Sequence, residues 1–244
     1  MPQSHVIDYQ IFGDDLQFVE VELDRGETVI AEAGAMVYME SGITFESKMG
    51  DGSKVSSGFF DKVLDVGKRV ITGESLFMTH FTSNYEGKRH IAFGAPYPGK
   101  IIPIDLDEVS GELICQKDSF LCAALGTEVS IAFNKKIGAG LFGGEGFILQ
   151  KITGPGVVWL EISGDVRDYV LQADEVLKVD PGHIALYEPS VAYDIETVKG
   201  AMNVLFSGEG LFLATLKGPG RVWLQSMPIS NLAHQISKYI PKKG

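Results

Sequence analysis

The segment from Gly208 to Gln225 nearly repeats the segment from Gly144 to Glu161. Both open on Gly-Glu-Gly and run through apolar residues to a Gly-Pro-Gly turn. They then return through Trp159 and Trp223. A chain that copies one strand-turn-strand unit is built by stacking that unit, which restricts its fold more than composition does. A third, diverged copy starts at Gly73-Glu74-Ser75-Leu76-Phe77 and lacks the Gly-Pro-Gly turn. Upstream of the copies, Glu27, Glu112 and Glu175 lie seven residues before Gly34, Ser119 and Gly182. The first copy carries an insertion around Met49 to Gly67. This spacing predicts one domain over 1–244, made of three β modules at about 1–98, 99–164 and 165–228 and a C-terminal helix over 229–240.

The expected fold is all-β and mainly antiparallel: a single compact, pseudo-repeated β-sandwich or β-helix-like domain with one or two short helices covering its ends. Pro155 and Pro219 fix φ at the second turn position, and Gly156 and Gly220 accept positive φ at the third, so both turns read as type II. Trp159 and Trp223 then take matched core positions. Two stripes have helical period. Phe59, Phe60, Val63, Leu64 and Gly67 form one; Ile229, Leu232, Ala233 and Ile236 form the other, with Ser230 or Asn231 as cap and Pro241 as stop. Both helices read as covers for unpaired strand edges or, alternatively, as a docking surface.

With 29 Gly and 10 Pro in 244 residues and 45% hydrophobic content, the chain has the makeup of a globular protein with many tight turns. Its net charge of −11 argues against a general phosphate-backbone binder. The start, Met1-Pro2-Gln3-Ser4-His5-Val6-Ile7-Asp8, has no basic segment followed by an apolar run, so the expected compartment is cytoplasmic. No apolar stretch reaches the roughly 20 residues that cross a bilayer, which leaves peripheral membrane contact open. Cys115 and Cys122 allow a single disulfide but, with no export signal read, are expected to be reduced, mostly buried thiols; their spacing is not that of a zinc knuckle.

No catalytic constellation emerges. His5, His80, His90, His183 and His234 form no metal-binding pair. Ser75 lacks the second glycine of a nucleophile elbow. Gly138-Ala139-Gly140-Leu141-Phe142-Gly143 precedes a strand, whereas dinucleotide binding needs a helix there. Glu74, Glu145 and Glu209 stand at corresponding places in the copies. A threefold arrangement would bring them together as a cation or polar-ligand site; otherwise each pins the start of its strand by accepting backbone N–H groups.

The Gly-Glu-Gly-Leu-Phe and Gly-Pro-Gly-Arg-Val-Trp-Leu-Gln stretches, with Gly73-Glu74-Ser75-Leu76-Phe77 and Gly140-Leu141-Phe142-Gly143-Gly144-Glu145-Gly146, resemble a widespread bacterial family. Its mitochondrial members are named for altered inheritance of mitochondria. The resemblance runs from about Tyr9 to the C-terminal helix. It implies an all-β, pseudo-repeated domain that self-associates, with a fold like that of the tryptophan RNA-binding attenuation protein. The mitochondrial relatives are tied to inner-membrane organisation, a role that does not transfer to a chain in which no transit segment is read. No catalytic residues and no cofactor carry over.

The expected function is therefore that of a non-enzymatic binding or scaffold protein that forms a homo-oligomer and presents a β surface to a protein partner. One alternative is a small-molecule or cation binder, or an enzyme, using an inter-module pocket with Glu74, Glu145, Glu209 or His183. Another is an RNA binder.

Overall fold

The computed structural model describes residues 4–49, 77–135, 147–197 and 212–241. The helical stripe at 59–67 lies outside them. The first seven strands are β1 Asp8–Phe12, β2 Phe18–Leu23, β3 Thr28–Ala31, β4 Met36–Met39, β5 Ile43–Met49, β6 Phe77–Ser83 and β7 Arg89–Gly94. Six follow as β8 Gly99–Asp105, β9 Glu112–Gln116, β10 Phe120–Ala124, β11 Glu128–Lys135, β12 Phe147–Thr153 and β13 Val157–Ser163. The last six are β14 Val166–Leu171, β15 Val176–Val179, β16 Ile184–Tyr187, β17 Ala192–Thr197, β18 Phe212–Lys217 and β19 Gly220–Gln225. One α-helix, α1, spans Ile229–Ser237.

The strands form four sheets, in the orders β1-β2-β7-β4, β5-β6-β3-β10-β13-β8, β11-β12-β9-β16-β19-β14 and β15-β18-β17. All ladders between named strands are antiparallel, so the domain is all-β as expected. The third sheet has the strand order of the second with six added to every label. Each of these two sheets is joined at its middle, by β3–β10 in one and β9–β16 in the other.

Alternation decides which sheet faces are buried. In β2, Val19, Val21 and Leu23 turn inward, while Phe18, Glu20 and Glu22 turn outward. β3, β10 and β16 instead bury every residue, the pattern of strands covered on both faces. One core, with Val19, Phe93, Val29 and Trp159, lies between the first and second sheets. A second, with Ile30, Leu160, Leu113 and Trp223, lies between the second and third. A third, with Leu149, Val222, Val179 and Ala214, lies between the third and fourth. The sheets are thus stacked in chain order.

Several local expectations change. Gly156 has φ of +104° and follows Pro155 as a type II turn requires, and a side chain there would meet Ser4. The second turn is different: the Gly218–Pro219 peptide is cis and Gly220 has φ of +143°. A type II turn has neither feature. The carbonyls of Glu27, Gly111 and Glu175 accept the N–H groups of Ser83, Gly154 and Gly218 at 3.0, 2.9 and 2.9 Å. Gly111, not Glu112, therefore stands where Glu27 and Glu175 stand; Glu112 instead pairs with Lys151 on the neighbouring strand.

α1 begins after Pro228, and no side chain caps it, because Ser230 and Asn231 already lie inside the first turn. None of its side chains is fully buried: Ile229 and Leu232 are half-buried, and Ile236 is 52% exposed.

Cys115 and Cys122 are free and buried, as expected, in different cores. Burial pushes both thiols well above their usual range. We expect the native protein to leave both unmodified by Ellman's reagent, and guanidinium to release both for reaction. A thiol that reacts in the native state as fast as free cysteine would contradict their placement.

Candidate functional site

Two strands have an unpaired edge where their counterparts have none. Among the described residues, β4 pairs only with β7, and β15 only with β18. β4, β10 and β16 each carry a bulge at the same point of the ladder, with Val37, Leu121 and Ala185 as the extra residues. Leu121 is 3% exposed and Ala185 is 0% exposed, each packed against the preceding sheet, whereas Val37 is 57% exposed. Beside it, Tyr38 donates to Glu20, which pushes the phenol up to about 12. On β15, Val176 is 50% exposed. Unpaired N–H and C=O groups beside exposed apolar side chains form a template for another strand.

A second feature is a buried polar junction in the second sheet. Glu161 follows Leu160, which pairs with Phe120; Gln225 follows Leu224, which pairs with Ile184. The two thus share one register position. Gln225 is fully engaged, since its amide donates to Gln116 Oε1 at 2.8 Å and to the Gly182 carbonyl at 2.7 Å, and its oxygen accepts the Ser163 N–H. Glu161 is 3% exposed and its Oε1 has no hydrogen bond. Burial, and then the charge of Asp118, raise its carboxyl to about 8. Tyr97 donates to the Asp118 carbonyl at 3.1 Å, and burial beside Glu161 raises its phenol too. Glu32, which takes a hydrogen bond from Gln150, is likewise raised by burial. Sequence reasoning missed this junction. The available signal was a charge at Glu161 inside an apolar run whose copy has the neutral Gln225.

Glu74, Glu145 and Glu209 lie outside the described residues. Trp159 and Trp223 occupy the same register position, opposite Cys122 and Leu186, but anchor different cores. His183 sits beside Gln225, its Nδ1 donating to the Gln225 carbonyl at 2.7 Å. A groove runs between Ser4–Ile7 and the Gly154–Val157 turn, with Asp105 and Asp107 on its wall. His5 Nδ1 accepts the Thr28 N–H there, and Asp105 accepts the Asp107 N–H. His5 and Asp105 are thus engaged by backbone N–H groups. Among the described residues, no three His, Cys, Asp or Glu side chains gather as metal ligands. Among the same residues, no helix is long and apolar enough to cross a membrane.

A family model described as mitochondrial biogenesis AIM24 matches residues 9–227. An uncharacterised protein of Streptococcus pyogenes serotype M6 is 29% identical over 224 residues, covering 91% of this chain and 86% of that protein. The X-ray structure of a Streptococcus pyogenes protein superposes with a TM-score of 0.75 at 22% identity, covering 96% of this chain and all of that one. At that identity the likeness speaks for the fold.

Proposed function

The chain belongs to the mitochondrial biogenesis AIM24 family, and from its own geometry we propose that it is a non-enzymatic β scaffold of three modules that associates with further copies of itself. The strand order supports the modules. β2–β7, β8–β13 and β14–β19 run through the same six places in their sheets, with breaks that fit boundaries near 98 and 164. β1 is an addition at the first edge.

The observation that carries self-association is the pair of unpaired edges, β4 and β15, with Val37 and Val176 exposed on them. Stacked sheets continue for as long as each edge finds a partner, and terminal units of repeat architectures need caps when the stack is to stop. Among the described residues, β4 and β15 each stand at the end of their sheet, with no strand hydrogen-bonded to the outer side. A β surface of this kind also serves protein partners through strand addition. The net charge of −11 gives no support to an RNA-binding role.

Light scattering across a hundredfold range of concentration tests the reading. The expected result is a mass that rises above that of one chain. A single-chain mass at every concentration would remove self-association.

A further inference from the structure

Two ladders inside the chain show how one unit joins the next. In the second sheet Ala31 of β3 lies opposite Cys122 of β10, which lies opposite Trp159. In the third sheet Cys115 of β9 lies opposite Leu186 of β16, which lies opposite Trp223. The unpaired strands supply the same two places. Tyr38 of β4 follows the same bulge as Cys122 and Leu186, and pairs with Ala92 of β7. Val179 of β15 comes four residues after Glu175, as Ala31 comes four after Glu27 and Cys115 four after Gly111.

Resting on the self-association reading, we propose that copies of this chain join head to tail, β15 of one pairing antiparallel with β4 of the next. Tyr38 then lies opposite Val179, and Met39 opposite Lys178. The four-stranded and three-stranded sheets become one seven-stranded sheet. The side chains agree with this register. Val179 faces the third core, and Met39 packs on the core between the first and second sheets, so the two faces of the fused sheet stay distinct. A one-residue slip would exchange them. Pairing covers Val37 and Val176 and satisfies both rows of backbone groups.

The joint differs from the internal ones in one respect. Ala92 stands where Trp159 and Trp223 anchor the other junctions. An interface without that ring holds less tightly, which suits reversible assembly. The contact uses different surfaces on the two copies, so it builds a ring if the rotation closes and a filament if it does not.

Paired cysteines across adjacent strands come within bridging range. The Met39→Cys/Lys178→Cys double variant, oxidised with copper phenanthroline, is expected to give a ladder of covalent multimers on a non-reducing gel. Each single variant should stay at one chain. The unmodified protein gives a second readout: amide exchange at 36–39 and 176–179 slows about tenfold when the concentration is tenfold above the dissociation constant. Exchange at β5 and β14 should not change. Dimers from Met39→Cys alone would mean edge-to-edge pairing of like strands and would overturn the proposal. Association that leaves both segments unprotected would overturn it while sparing self-association. A chain that stays monomeric removes both.

Discussion

Trp159→Ala is expected to lower the unfolding free energy by about 3–5 kcal/mol, the range for removing a fully buried aromatic side chain. Trp159 is 0% exposed and stands in the core between the first two sheets. Tyr9 of β1 meets its ring edge-on at 5.2 Å. The loss therefore loosens the packing of the first sheet on the second as well as leaving a void. Little of the effect comes from polar groups, because Trp159 Nε1 has no hydrogen-bond partner to lose. For a chain of this length the change corresponds to a fall in Tm of roughly 10 °C. Thermal unfolding by circular dichroism checks it; a variant within about 1 kcal/mol of the parent would show that the ring does not carry this interface.

Glu161→Gln is expected to stabilise the protein at alkaline pH and to leave it unchanged in acid. The Glu161 carboxyl rises from 4.5 to about 8 on folding, first through burial and then through Asp118. Between those values the folded state holds a proton that the unfolded state has released, so stability falls as pH rises through the interval and levels off above about 8. Each pH unit is worth about 1.4 kcal/mol, which caps the loss near ~5 kcal/mol. Local relaxation and water entry around the charged form reduce this to roughly 2–4 kcal/mol. Glutamine keeps the shape and never charges. The corresponding register position already holds the neutral Gln225. Urea unfolding at pH 4.5 and pH 8.5 should show a gap between variant and parent only at the higher pH. A gap of equal size at both would sink the account.

Much of the fold could be read in the chain before any coordinates. The copied Gly-Pro-Gly and Trp segments announced stacked β units, and β13 and β19 place Trp159 and Trp223 at one register position. Other features escaped. The alignment on Glu112 was off by one, because a carboxylate at matched spacing looks the same whether or not its backbone accepts the equivalent hydrogen bond; the Gly154 N–H goes to Gly111. The C-terminal stripe predicted the helix but not its surroundings, since periodicity reports that a face is apolar and not what covers it.

The division has a physical cause. Side-chain period and turn chemistry act over a few residues, so the sequence by itself determined the strands, the turn glycines and the repetition of a unit. Ladder register and burial depend on residues far apart in the chain. Only the tertiary structure decided that Ala31 meets Cys122, that Glu161 is shut away from water while Gln225 finds its partners, and that, among the described residues, β4 and β15 are left with an unpaired edge.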